Sequence, residues 1–95
     1  MSLEFEWDED KAASNRKKHR VTFEEAATVF ADPLAAIFDD EAHSEAEQRE
    51  IIIGHSADKI LLVISYTERA GGIRIISARR ATKRERRDYE ENPHR

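Results

Sequence analysis

Ninety-five residues, no cysteine and a formal net charge of −4 set the first bounds. The length suits one domain across 1–95 with a single core, and the missing thiols exclude a disulfide framework and thiolate chemistry, which suits a reducing cytoplasm. No apolar run approaches the ~18 residues of a membrane span and no signal-peptide pattern opens the chain, so a soluble, cytoplasmic protein is expected.

In chain order, Leu3, Phe5 and Trp7 alternate with Glu4 and Glu6, the pattern of a short half-buried strand. Asp8 can cap a following helix, with Glu9 and Asp10 at its positive end, running to about His19. Lys11, Asn15, Lys18 and His19 share one face of it by their spacing, and that face reads as polar. Thr22 and Glu25 form a capping box for a second helix, whose Phe23, Ala26, Ala27 and Phe30 make an apolar stripe. Asp32-Pro33 ends it.

Leu34–Phe38 reads as a strand. The acidic segment from Asp39 to Glu47 lacks the glycine and ligand spacing of a calcium loop and reads as a solvated hairpin loop. The four histidines are scattered without zinc spacing, so no metal and no cofactor are expected. Gln48–His55 and Lys59–Thr67 form a hairpin around Ser56-Ala57-Asp58. On the second strand Ile60, Leu62, Ile64 and Tyr66 oppose Leu61, Val63, Ser65 and Thr67. Both faces begin apolar, as in a central strand, and the second turns polar at its C-terminal end.

Gly71-Gly72 turns into a strand from Ile73, where Ile73, Ile75, Ser77 and Arg79 should oppose Arg74, Ile76, Ala78 and Arg80. Thr82 and Glu85 then open a closing helix with another capping box. The tail 92–95 reads as frayed. Helices early and hairpins late argue an α+β domain: a mostly antiparallel sheet with two N-terminal helices and one C-terminal helix.

Charge along the chain is polarised. Residues 1–50 hold six basic and fourteen acidic side chains, whereas 51–95 hold ten and six. From Arg69 to Arg87 eight basic residues stand against Glu85 alone, a segment of +7. Such a local field points to an anionic partner even in an acidic chain.

Three ordered blocks carry a family resemblance. Trp7-Asp8-x-x-Lys11-x-x-x-Asn15-x-x-Lys18-His19 leads into Val21-Thr22-Phe23-Glu24-Glu25-Ala26 and Phe30-x-Asp32-Pro33. Glu47-x-Arg49 precedes Ile53-Gly54, and Arg74-Ile75-Ile76-Ser77-Ala78-Arg79 precedes Glu85-Arg86-x-x-Tyr89-Glu90. Over about residues 4 to 91 this resembles the BrnT family of type II toxins, small ribonucleases with a RelE-like fold, each paired with a BrnA antitoxin. One position departs from the pattern: Arg20 stands where the family usually has glycine.

The resemblance implies metal-independent RNA cleavage, with the ribose 2′-hydroxyl attacking the adjacent phosphate to leave a 2′,3′-cyclic phosphate and a 5′-hydroxyl. Such chemistry needs a proton acceptor, cations for the extra charge on phosphorus, and a proton donor. Guanidinium groups suit the second task. Arg49 and Arg79 match the family blocks, with Arg69 and Arg80 as further cations. For proton transfer, His19 starts near ~6.5, Lys18 would need a lowered pKa, and Tyr89 could position or protonate. The expected catalytic set is therefore Lys18, His19, Arg49, Arg79 and Tyr89, and the expected RNA-binding set is Lys11, Arg69, Arg80, Lys83 and Arg86. The implied partners are an RNA substrate and a BrnA-like antitoxin, in a two-by-two heterotetramer containing a toxin homodimer. The competing reading is a non-catalytic protein-binding module, an inactive toxin kept as an antitoxin-binding corepressor. Direct DNA binding is disfavoured, since no helix-turn-helix pattern is present.

Overall fold

The computed structural model describes residues 3–40 and 48–91. Five strands form one sheet in the order β1-β5-β4-β3-β2. The chain runs β1 (Glu4–Glu6), α1 (Glu9–His19), α2 (Phe23–Thr28), a 3-10 turn (Val29–Ala31), β2 (Ala36–Asp39), β3 (Glu50–His55), β4 (Leu61–Arg69), β5 (Gly72–Arg80) and α3 (Lys83–Glu91). The expected order and α+β class hold, and strand ends shift by one or two residues. Every neighbouring pair is antiparallel except β1 with β5, which is parallel.

Local chemistry sets the helix ends. Asp8 accepts from the backbone N–H of Asp10 and Lys11, and Thr22 Oγ1 accepts from Glu25 N–H. The Thr82–Glu85 box is reciprocal: Glu85 N–H donates to Thr82 Oγ1 at 3.1 Å, and Thr82 N–H donates to Glu85 Oε1 at 2.9 Å. α2 stops at Thr28 and tightens into the 3-10 turn, which buries Val29, a residue outside the expected stripe.

Two cores lie on opposite faces of the sheet. The larger joins Val21, Phe23, Ala26 and Val29 to Ile52, Leu62, Ile64, Tyr66, Ile73, Ile75 and Ala78. Phe30 bridges it, 5.3 Å from the Phe5 ring and 4.9 Å from Tyr66. The smaller places Ala81, just before α3, and Tyr89, along it, over Ala36, Ile53, Leu61 and Val63. β4 is two-sided as its sequence implies.

β5 departs from strict alternation. The register slips beside Ser65 and Tyr66, so Ile75 pairs with Tyr66 and Ser77 with Ser65, leaving Ile76 as the extra residue. Ile75 and Ala78 therefore face the same core, and alternation alone placed them apart. A second correction concerns α1. Asn15, expected on its polar face, is buried, and its carboxamide binds both backbone groups of Ala78 and the carbonyl of Val21. β1 pairs with β5 only through Arg74, so the second half of β5 is an edge. Asn15 occupies that edge as a neighbouring strand would, and thereby sets α1 alongside it.

Arg20 takes φ 61° and ψ 30°, the left-handed conformation that glycine adopts without strain, and its N–H closes α1 on Arg16 O at 2.9 Å. Arginine here accepts the conformation instead of reshaping the loop.

Candidate functional site

β3, β4 and β5 align two rows on the second sheet face. Ile51, Ser65 and Ser77 form one row, and Ile53, Val63 and Arg79 the next. Between them opens a cleft of about 280 Å³ lined by Asp40, Arg49, Ile51, Val63, Ser65, Ser77 and Arg79. It adjoins an apolar groove of about 520 Å³ under α3, where Phe38, Ile51, Ile53, Val63 and Tyr89 meet Arg79, Glu85 and Asp88. Among the described residues, the buried hydroxyls of Ser65 and Thr67 have no hydrogen-bond partner. A polar atom left in that state raises the energy of the empty site, and a ligand oxygen or water would relieve it.

Arg79 is held in place from α3. Its two terminal nitrogens donate to Glu85 Oε1 at 2.8 Å and Oε2 at 2.9 Å, a fork-to-fork pair. The hydrogen bond from Arg79 pulls the Glu85 carboxyl down to about 2, and the same bond raises Arg79. Glu85 thus stays ionised through the neutral range and is a poor proton acceptor. Arg49, Arg79 and Asp40 line the cleft, and Glu85 and Asp88 line the groove beside it.

Tyr89 donates to Leu34 O at 2.9 Å, and its ring meets His55 edge-on at 5.8 Å. Burial, with Asp32 nearby, pushes its phenol up, so it remains a hydrogen-bond donor. His55 itself is anchored through its backbone, whose N–H donates to Asp32 Oδ2 at 2.8 Å.

The structure brings Arg49, Arg79 and Tyr89 together around the cleft and its groove. Lys18 and His19 do not line either one. They sit in the last turn of α1, Lys18 exposed and His19 half-buried, with Lys11 exposed two turns earlier. Arg80 and Lys83 are exposed where β5 passes into α3. Arg69 lies at the far end of β4, 3.9 Å from Glu6, which also takes Arg74 at 3.5 Å, and Arg86 pairs with Glu90 at 3.9 Å along α3.

Sequence reasoning about site residues passed over Asp40, Ser65 and Ser77. A signal for Ser65 was present, in the β4 face that turns polar. Among the described residues no three His, Cys, Asp or Glu side chains converge as a metal site. The segment 41–47, which holds most of the acidic loop and Glu47, and the tail 92–95 lie outside the described residues. No helix among the described residues is long and apolar enough to cross a membrane.

A search of curated proteins returned no match. The crystal structure of the Brucella abortus ribonuclease toxin BrnT is similar in fold, with a TM-score of 0.66 and 22% identity over 86% of this chain and 100% of that one. The family model described as the ribonuclease toxin BrnT of type II toxin-antitoxin systems matches residues 7–85, and the chain belongs to that family.

Proposed function

We propose that this toxin cleaves RNA without a metal ion, by attack of a ribose 2′-hydroxyl on the adjacent phosphate, in the cleft on the second sheet face. The observation behind this reading is that Arg49 and Arg79 flank a cleft containing a buried, unpartnered Ser65 hydroxyl. Arg79, fixed by Glu85, presents its remaining N–H groups to the phosphoryl oxygens, and Arg49 meets them from the other side. Asp40 also lines the cleft and takes the 2′ proton, and as the bond from phosphorus to the 5′-oxygen breaks that oxygen takes a proton from water. Tyr89 shapes the groove beside the reacting phosphate. Lys18 and His19, outside the cleft, contribute to RNA binding.

The same reading gives the toxin a RelE-like ancestry, a cytoplasmic site of action, translation as its target and a BrnA-like antitoxin. The antitoxin pairs with the β2 edge, where Ile37 and Phe38 are exposed, in a two-by-two heterotetramer containing a toxin homodimer. The test is incubation of folded, antitoxin-free protein with naked RNA, with and without EDTA. EDTA-insensitive cuts ending in cyclic phosphate support the mechanism, EDTA-sensitive cuts reject it, and intact RNA rejects cleavage of free RNA.

One observation favours a second reading. Glu85 already satisfies both terminal nitrogens of Arg79, as a purely structural pair would. If Arg79→Ala leaves toxicity intact and abolishes antitoxin binding, the chain is a binding module with no catalytic use for Arg79.

A further inference from the structure

The groove under α3 is a space that the protein's own side chains leave unfilled. Its floor is apolar, from Ile51 and Ile53 on β3 and Val63 on β4. Phe38 pairs with Ile51 across β2 and β3, so its ring stands on the same face and walls the groove, with 50% of its surface exposed. From α3, Glu85, Asp88 and Tyr89 fall at i, i+3 and i+4 and line the groove together. The helix is pinned toward both ends: Glu85 grips Arg79, and the Tyr89 hydroxyl donates to Leu34 O. A space of about 520 Å³ is thus held open where close packing would otherwise close it, and its size is that of a small-ligand site.

The groove is continuous with the cleft, sharing Ile51, Val63 and Arg79 with it. A nucleotide whose phosphate Arg79 holds in the cleft can therefore turn its base toward the groove. Charge selects which part of the nucleotide enters. Glu85 and Asp88 set carboxylates along the groove, and these repel a second phosphate. A neutral base instead offers flat faces to Phe38 and polar edges to a carboxylate, which has about four acceptor sites.

We propose that this groove is a nucleobase subsite, taking the base of the nucleotide whose phosphate meets Arg79. Phe38 stacks on the base, and Asp88 accepts from an exocyclic amino group. The proposal rests on the ribonuclease reading for RNA as the ligand. Adenine, cytosine and guanine carry such a group. Uracil has only an N–H set between two carbonyl oxygens, which a carboxylate repels, so the subsite selects against it.

The experiment is fluorescence anisotropy of the full chain with short 2′-O-methyl strands of adenine, cytosine or uracil and an abasic strand of equal length. None of these can undergo 2′-hydroxyl attack. Wild type should bind the adenine and cytosine strands about fivefold more tightly than uracil. Asp88→Asn should erase that ratio, whereas its loss of charge alone would move all strands together. Phe38→Ala should weaken every base-bearing strand about 10-fold and leave the abasic strand unchanged, and Phe38→Trp should restore binding. A merely structural role for Phe38 would weaken the abasic strand as well. Both side chains are exposed, and circular dichroism verifies that each variant is folded.

Binding that ignores the base, or both variants matching wild type on every strand, would overturn the proposal. So would variants that keep RNA binding but lose the antitoxin, since the groove would then belong to a protein partner. Wild type that discriminates bases through Phe38 and Asp88 yet never cuts unmodified RNA would sink the ribonuclease reading and leave the subsite standing. Cleavage that ignores both side chains and the base would do the reverse.

Discussion

Truncating Asn15 to alanine tests how α1 is fastened to the sheet. The carboxamide makes three hydrogen bonds: Nδ2 donates to Val21 O at 3.0 Å and to Ala78 O at 2.8 Å, and Oδ1 accepts from Ala78 N–H at 3.1 Å. With the residue 7% exposed, all three vanish together. At about 1 kcal/mol net apiece the loss is about 3 kcal/mol. It should not climb far beyond that, because the Ala78 groups face a sheet edge that water can enter once the carboxamide is gone. A domain of this size has about 5–14 kcal/mol in total, so the variant folds but is visibly weakened. The single tryptophan, Trp7, packs 5.8 Å from Phe23 beside α1 and reports urea unfolding by fluorescence. With a slope of about 1.5 kcal/mol per molar urea, the midpoint should drop by about 2 M while the slope holds. Asn15→Asp sharpens the test. It keeps an acceptor for Ala78 N–H but sets a carboxylate against two carbonyls, so near neutral pH it should be at least as damaging as alanine. A loss under about 1 kcal/mol for alanine, or wild-type stability for Asn15→Asp, would refute the clamp.

Other substitutions probe the backbone and the Arg79 pair. Arg20→Gly relieves the left-handed conformation at φ 61° and should stabilise the fold by about 1 kcal/mol, raising the melting temperature by about 4 °C in calorimetry; a lower value would contradict the strain. Gly54→Ala would bring a Cβ to 2.7 Å from Ala35 Cβ and 3.0 Å from Asp32 Oδ2, and should cost about 2 kcal/mol in urea unfolding. For the Glu85–Arg79 pair the folded carboxyl titrates at about 2, below its usual 4.5, so its contribution is present above 4.5 and fades as pH falls toward 2. After discounting for solvent at a pair 34–40% exposed, the gap in stability between wild type and Glu85→Gln should shrink by about 1 kcal/mol between pH 7 and pH 2.5. A gap that ignores pH would mean the pair is not closed in solution.

The fold was legible wherever local chemistry decides the outcome. Three helix starts followed from Asp8, Thr22 and Thr82, and the two-sided β4 followed from its double apolar pattern. The failures have physical causes too. Periodicity assumes an unbroken pleat, and the slip beside Ser65 reverses the sidedness of half of β5. Helix-face reasoning treats a carboxamide as solvent-seeking. Asn15 is instead the partner that an unpaired strand edge requires, and only tertiary placement reveals that requirement.

The candidate site was legible as a list of residues and illegible as an arrangement. The family resemblance put Lys18, His19, Arg49 and Arg79 in one expected catalytic set. Folding divides them, because Arg49 and Arg79 point into the second sheet face while Lys18 and His19 ride on α1 beyond the β5 edge. It also sorts the cations by whether a carboxylate sits within reach. Glu6 lies 60 or more residues from Arg69 and Arg74 in the chain, yet the parallel pairing of β1 with β5 sets it beside both. A charge count along the sequence weighs Arg74 and Arg84 alike. Among the described residues Arg74 is answered by Glu6 and Arg84 has no ion pair, and that difference decides which of them can attract a phosphate.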